Sequence, residues 1–164
     1  MASPTPVAGY FIETGSSLEK ARLVKLMQRA YRELSSIDAS AHLAETVERH
    51  LSSQSQLWWL IKPSPITNAL PGIHRPDPLG CLWLGEAVDQ RTGLKQAYVF
   101  LLYVEPAHRH KGLGTALMAH AQQWAKQQGY SQIGLQVFED NQSALALYQK
   151  LGYVSQARWL SLDL

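Results

Sequence analysis

Between Leu79 and Phe138 the chain runs through two apolar strand-forming segments, a helix-period segment and a third apolar run, and few folds accommodate that succession. Leu79 to Val88 and Gln96 to Val104 are joined by DQRTGLK, where Thr92 and Gly93 supply a turn, so an antiparallel hairpin is predicted. Leu113 to Gln128 repeats Leu113, Leu117, Ala121 and Trp124 on one helical stripe, with Gly129 as its C-terminal cap. Gln132 to Phe138 then reads as a strand. A strand, helix, strand crossover returns the chain parallel, so at least one parallel pair enters a sheet whose earlier strands are hairpin-connected. The expected fold class is α/β (α+β), with a mixed, mostly antiparallel central sheet and helices on both faces.

The N-terminal half supplies the remaining layers. After a Pro-containing tail over residues 1–9, Tyr10 to Glu13 is strand-like, and Ser16 with Glu19 three residues later forms a capping box. Leu18, Ala21, Val24, Met27, Tyr31 and Leu34 share one helical face, with Lys20, Lys25, Arg29 and Glu33 among those on the other. A second helix is expected from about Asp38 to Leu51, carried by Leu43, Val47 and Leu51. Gln56 to Lys62, rich in Trp, Leu and Ile, reads as a strand covered on both faces. The segment 63–78 holds five prolines without periodicity and is expected as a surface loop. Gln142 to Leu151 is a short helix stopped by Gly152, and a closing strand is expected within Val154 to Leu162.

Bulk properties narrow the function classes. A chain of 164 residues, 46% hydrophobic, buries one sizeable core, so a single domain over 1–164 is expected. Its 15 Lys and Arg are scattered rather than gathered into a run, so no nucleic-acid partner is expected. The single Cys81 sits in an apolar stretch as a small buried hydrophobe, without the cationic or histidine neighbour a nucleophile needs. A reducing, cytoplasmic setting fits it. Residues 1–9 lack the pattern of a signal peptide, and nowhere do about eighteen apolar residues run together, so no membrane partner is expected.

The segment that carries chemistry is LLYVEPAHRHKGLGT, from Leu101 to Thr115, which passes from a buried strand through a proline turn into a Gly-rich helix start. Gly112 and Gly114 let the backbone approach a ligand, while the first helical turn aims unpaired amides and the positive dipole end at it. Arg109 and Lys111 add charge, and a diphosphate spans several amides, so a diphosphate cofactor is the physical expectation. Two other phosphate loops fail at their defining residues. Leu117 breaks the G-x-G-x-x-G of the dinucleotide fingerprint, and Lys111 precedes Gly112 where a P-loop needs Gly-Lys-Ser/Thr.

These residues resemble the GNAT acyltransferase superfamily, whose signature R/Q-x-x-G-x-G/A after a strand is matched by Arg109, Gly112 and Gly114. Val104, Glu105 and Pro106 match the Val-x-Pro that usually precedes it. Asn141, Tyr148 and the Leu151, Gly152, Tyr153 run match a second element of the family. The detailed resemblance covers roughly Ala97 to Val154. It implies an N-acetyltransferase that uses acetyl-coenzyme A as cosubstrate, without a metal, and a primary amine as acceptor. Leu102, Tyr103 and Val104 would pair by backbone with the pantetheine, the Val104 amide steadying the oxyanion. Arg109, His110, Lys111, Gly112, Leu113, Gly114 and Thr115 would hold the pyrophosphate, and Asn141 would contact the cofactor near its pantetheine arm. Tyr148 would give a proton to the departing thiolate as a general acid. A homodimer is plausible by the same resemblance, and Trp159 could pack at its interface.

Other readings of the same residues stand beside these. Asn141 has a structural role as a helix N-cap, and Tyr148 alone would be a core aromatic. Trp58, Trp59, Trp83 and Trp124 are most simply core, although one could line the acceptor pocket. His108 and His110 read as solvated loop residues, without the partners a metal site needs. The base is unassigned by the motifs. Where family members carry Glu or His, this chain has Gln136, Tyr98 and Phe100. Glu86 ranks first among the remaining carboxylates, ahead of Glu139, and a water chain could also serve. With no base at the usual positions, a non-catalytic acyl-coenzyme A sensor or partner module is the alternative.

Overall fold

The computed structural model describes residues 2–4, 7–34, 40–63 and 76–164. Six strands form one sheet in chain order: β1 (Ala2–Pro4), β2 (Phe11–Thr14), β3 (Gln56–Ile61), β4 (Gly80–Val88), β5 (Lys95–Val104) and β6 (Ile133–Leu135). Helices α1 (Lys20–Leu34) and α2 (Ser40–His50) follow β2, α3 (Leu113–Gln127) joins β5 to β6, and α4 (Gln142–Lys150) follows β6. Neighbouring strands are antiparallel except β5 and β6, which pair parallel as the crossover demanded. The start of α2 expected at Asp38, and positions 64–75 of the expected 63–78 loop, lie outside the described residues.

The helices cover opposite faces of the sheet. On one face Leu23, Leu26 and Met27 of α1 and Leu43 and Val47 of α2 pack against Trp59, Cys81 and Trp83. On the other, Leu113, Leu117, Met118 and Ala121 of α3 pack against Trp58, Leu60, Leu82 and Leu84. The strand β3 feeds both layers, Leu57, Trp59 and Ile61 going one way and Trp58 and Leu60 the other, which is why its sequence is apolar without alternation. Each fully buried side chain of this size contributes about 1.5–3 kcal/mol relative to exposure. Burial also pushes the Cys81 thiol pKa upward, away from nucleophilic use.

Four expectations are corrected. The first is the apolar face of α1, where Leu23, Leu26, Met27 and Ala30 are the buried stripe while Leu18, ahead of the helix, is 91% exposed. One half of the capping box forms, the Glu19 carboxylate accepting from the Ser16 amide at 2.9 Å, just ahead of the helix start at Lys20. The second concerns the expected tail, of which Ala2–Pro4 pairs with β2 and so covers an otherwise open sheet edge. The third is the closing strand, since residues 154–164 form no strand and are exposed, Trp159 included. They leave α4 past the β4–β5 turn, where Arg91 donates to the Gln156 side chain at 2.8 Å, instead of running beside β6. The strand expected at Gln132 to Phe138 is likewise only three residues long.

Candidate active site

A bulge in β5 creates the opening at which the site is built. Trp83 pairs with Leu101 and Leu84 with Val99, so Phe100 has no partner on β4. The two faces show the consequence. Val99 and Val104 belong to the α3 layer with Leu102 packed on it, while Leu101 and Tyr103 belong to the α1/α2 layer with Phe100 packed on it. Phe100 and Leu101 are thus consecutive residues on one face, and the strand bends there. Parallel pairing with β6 stops at Val99 opposite Leu135. Beyond it, among the described residues, Leu101 to Val104 are paired to β4 alone, and no strand covers the edge of β5 that faced β6, where the Val104 carbonyl is held by Arg109.

The chain then turns through a short 3-10 segment, Pro106–His108, into α3. His110 adopts φ +59° and Gly112, the residue before the helix, φ +83°. Glycine suits the latter, because a side chain in the left-handed region costs about 1–2 kcal/mol. These two left-handed residues, either side of Lys111, turn the chain into the helix. None of the backbone amides from His110 to Thr115 donates to another group among the described residues, whereas the amide of Ala116 is already bonded to Gly112. Gly114 lets α3 approach α4, where a Cβ would lie 3.2 Å from the Leu147 side chain. The free amides therefore open at the wide end of the β5 edge, in an arrangement suited to phosphate oxygens.

Arg109 does something its motif position does not reveal. Its Nε donates to the Val104 carbonyl at 2.7 Å, one Nη donates to Glu33 at 2.6 Å, and the guanidinium lies over the Tyr103 ring at 5.6 Å. Glu33 also accepts from the Tyr103 hydroxyl at 2.8 Å. The side chain thus ties the end of β5 to α1 instead of lying free beside a phosphate. Lys111 turns back to the Ala107 carbonyl at 3.2 Å. His108, expected as a solvated residue, is bonded through Nδ1 to the Tyr10 hydroxyl at 2.8 Å. Glu33 and Tyr10 carry no motif, and both reach the turn across more than seventy residues of sequence.

Asn141 caps α4, its side chain accepting from the Ala144 amide at 3.2 Å. Two turns later, Tyr148 is part of the α3 layer beside Tyr153, and burial raises its hydroxyl pKa to about 12. It therefore stays protonated through the neutral range and remains a proton donor.

Glu86 is not brought to this opening. It lies opposite Ala97 at the closed end of the β5–β6 pair, exposed, bridged to Lys95 at 2.8 Å and accepting from the Tyr130 hydroxyl at 3.0 Å. The Lys95 ammonium, then the Tyr130 hydroxyl, lower its pKa, and the carboxylate is engaged at this end of the sheet instead of facing the opening. Glu139 is exposed beyond β6. Gln136 accepts from the Tyr98 hydroxyl at 3.3 Å across the closed end of the gap. Among the described residues, no group of three or more His, Cys, Asp or Glu could hold a metal, and no helix is long and apolar enough to cross a membrane.

Against known families, the acetyltransferase (GNAT) family model matches residues 23–153. The chain belongs to the acetyltransferase (GNAT) family. Human N-acetyltransferase 8 is 31% identical over 86 residues, covering 44% of this chain and 38% of that protein. The chain thus spans well under half the length of that relative. A putative acetyl transferase from Pyrococcus furiosus superposes with a TM-score of 0.72 at 23% identity, over 94% of this chain and 99% of that one. A predicted acetyltransferase from Clostridium acetobutylicum, solved with acetyl-CoA, has a TM-score of 0.70 at 16% identity over 94% and 96% of the two chains. The GNAT fold of this chain accounts for its bulged β5, its parallel β5–β6 pair and the glycine turn into α3 as one assembly.

Proposed function

We propose that this chain takes the acetyl group of acetyl-CoA and passes it directly to a primary amine of a small molecule, peptide or protein. The observation that carries the reading is the uncovered edge of β5 from Leu101 to Val104, leading to the unpartnered amides of His110 to Thr115. An extended pantetheine arm pairs with the first as an added strand would, through the backbone of Leu102, Tyr103 and Val104. A pyrophosphate suits the second, held by the amides of His110, Lys111, Gly112, Leu113, Gly114 and Thr115. The Arg109 side chain serves the site indirectly, by holding Val104 and α1 together. The Val104 amide polarises the thioester carbonyl, Tyr148 protonates the departing sulfur, and Asn141 sets the start of the helix that carries Tyr148. The buried thiol of Cys81 suits a reducing cytoplasm.

Thermal unfolding with acetyl-CoA, CoA, NAD and ATP added separately tests the cofactor. A ligand at 100 times its Kd adds about 2.7 kcal/mol, worth several degrees in a domain of this size. Only acetyl-CoA and CoA are expected to shift the protein, and Gly114→Asp, whose side chain would be driven against Leu147 and so displace the first turn of α3 with its amides, is expected to lose the shift. A shift by ATP or NAD alone overturns the reading. A non-catalytic acyl-CoA sensor is the second reading, favoured by Glu86 being engaged elsewhere and by Gln136 and Phe100 standing where relatives carry bases. Acceptor-dependent release of free CoA thiol rejects it.

A further inference from the structure

Direct acyl transfer leaves the acceptor's chemistry open, and a pocket beside Val104 narrows it. We infer that the acceptor is a primary amine that also carries a carboxylate, bound by Arg32, an inference that rests on the acyltransfer reading above. On the α1/α2 face, at the end of β5, a pocket of about 400 Å³ lies between Arg29, Arg32 and Glu33 of α1 and Tyr103, Glu105 and Pro106. That volume suits a small molecule or the end of a peptide. Tyr103 and Glu105 flank Val104. The Glu105 amide donates to the Leu79 carbonyl at 2.7 Å on the β4 side, so the Val104 amide, one residue earlier, faces the uncovered edge. Arg109 reaches the Val104 carbonyl on that same edge and Glu33 at the pocket wall, joining the two. The pocket therefore opens beside the amide that polarises the thioester. None of residues 110–115 lines it, since the phosphate cradle lies toward α4, where Gly114 meets Leu147.

The charges in this pocket favour an anion. Glu33 is occupied, accepting from Arg109 at 2.6 Å and from the Tyr103 hydroxyl at 2.8 Å. Glu105 is paired with Arg29 at 2.5 Å. Arg32, three residues after Arg29 on the same helix, is exposed and makes no hydrogen bond or ion pair among the described residues. Each carboxylate of the pocket thus has its own guanidinium, and one guanidinium is left over. Its paired N–H donors match the two oxygens of a carboxylate. The same surplus charge draws an anionic acceptor toward the pocket and repels a polycation. A polyamine finds no unpaired carboxylate here to hold its second ammonium. With the carboxylate on Arg32, the amine end is directed to the uncovered β5 edge, where it meets the thioester.

The test measures thiol release from acetyl-CoA with amino acids of increasing amine-to-carboxylate separation, each beside its carboxamide. Peptides with an acidic or a neutral second residue, and polyamines, complete the panel. A kcat/KM roughly tenfold higher for a carboxylate acceptor than for its neutral counterpart is expected, the amino-acid and peptide arms telling a free amino acid from a peptide end. In Arg32→Gln this preference is expected to shrink to about twofold through KM, with kcat, the neutral acceptors and the acetyl-CoA thermal shift unchanged. Arg32→Lys, which keeps the charge but not the fork, is expected to retain part of it. Equal rates for charged and neutral counterparts, a preference for polyamines, or a preference that survives Arg32→Gln overturns the inference while leaving acyltransfer standing. A thermal shift lost in Arg32→Gln overturns it as well, because it places Arg32 on the cofactor. No thiol release by the wild type with any amine overturns both.

Discussion

Replacing Gly112 by alanine separates backbone strain from ligand contact, provided a second glycine of the same conformation serves as its control. Gly112 and Gly93 have φ of +83° and +69°, and a Cβ meets nothing closer than 4.0 Å at the first and nothing within 4 Å at the second. Neither substitution creates a clash, so each incurs only the left-handed penalty of about 1–2 kcal/mol, offset by about 0.4–1 kcal/mol from a stiffer unfolded chain. The net loss is about 1 kcal/mol in both. With an unfolding entropy of about 2.1 cal/mol/K per residue, 164 residues give about 0.34 kcal/mol/K, so each variant melts about 3 °C lower. What differs is what the amides face. Where alanine at 112 relieves part of that penalty by shifting φ, the amides of His110 to Thr115 move off a common target, and a tenfold weaker Kd removes about 1.4 kcal/mol, or about 4 °C, of the acetyl-CoA shift. Gly93 lies in the β4–β5 turn, and its variant keeps the whole shift. Thermal unfolding of both variants with and without acetyl-CoA makes the comparison. If Gly112→Ala keeps the full shift, the phosphate cradle is misassigned.

Two further substitutions probe the chemistry. Tyr148→Phe is expected to lower kcat by roughly 100-fold or more with little change in melting temperature, because no hydrogen bond holds its hydroxyl among the described residues. With that hydroxyl pKa raised to about 12, the acid form persists, so the wild-type kcat shows no basic limb from Tyr148 below about pH 11. Glu86→Gln is expected to leave kcat/KM unchanged while lowering the melting temperature at pH 7. The Lys95 pairing depresses the folded-state pKa of Glu86, so this stability is present above the ordinary carboxylate range and lost as the pH falls through the folded value. The two proteins should converge once the pH has fallen below that folded value, and a difference that persists there contradicts the ion-pair account.

The elements that sequence made legible are those whose burial is set locally. The mixed stretch of β3 announced cover on both faces because Trp58 and Trp59 point opposite ways from adjacent positions. The stripe of α2 was readable for the same reason, Leu43, Val47 and Leu51 being all buried at helical spacing. The stripe of α1 was read about one residue out of phase, since a 15-residue amphipathic helix offers more than one apolar line and only its neighbours choose between them. Residues 154–164 carry strand-forming side chains, but a strand forms only where the chain is carried alongside an edge, and this segment passes the β4–β5 turn instead of β6.

What sequence by itself determined is the order of elements, the parallel pair and the glycine-bearing turn from β5 into α3. Crossover geometry and helix-terminus chemistry follow from short-range pattern alone. What only the tertiary structure decided is which side chains meet. The bulge at Phe100 depends on the match between β4 and β5, and it moves two consecutive residues onto one face. Arg109 is committed to Glu33, Glu86 to Lys95, and Glu105 to Arg29, in contacts made across the fold. A side chain's chemistry is set by what surrounds it. For these residues the surroundings come from distant parts of the chain.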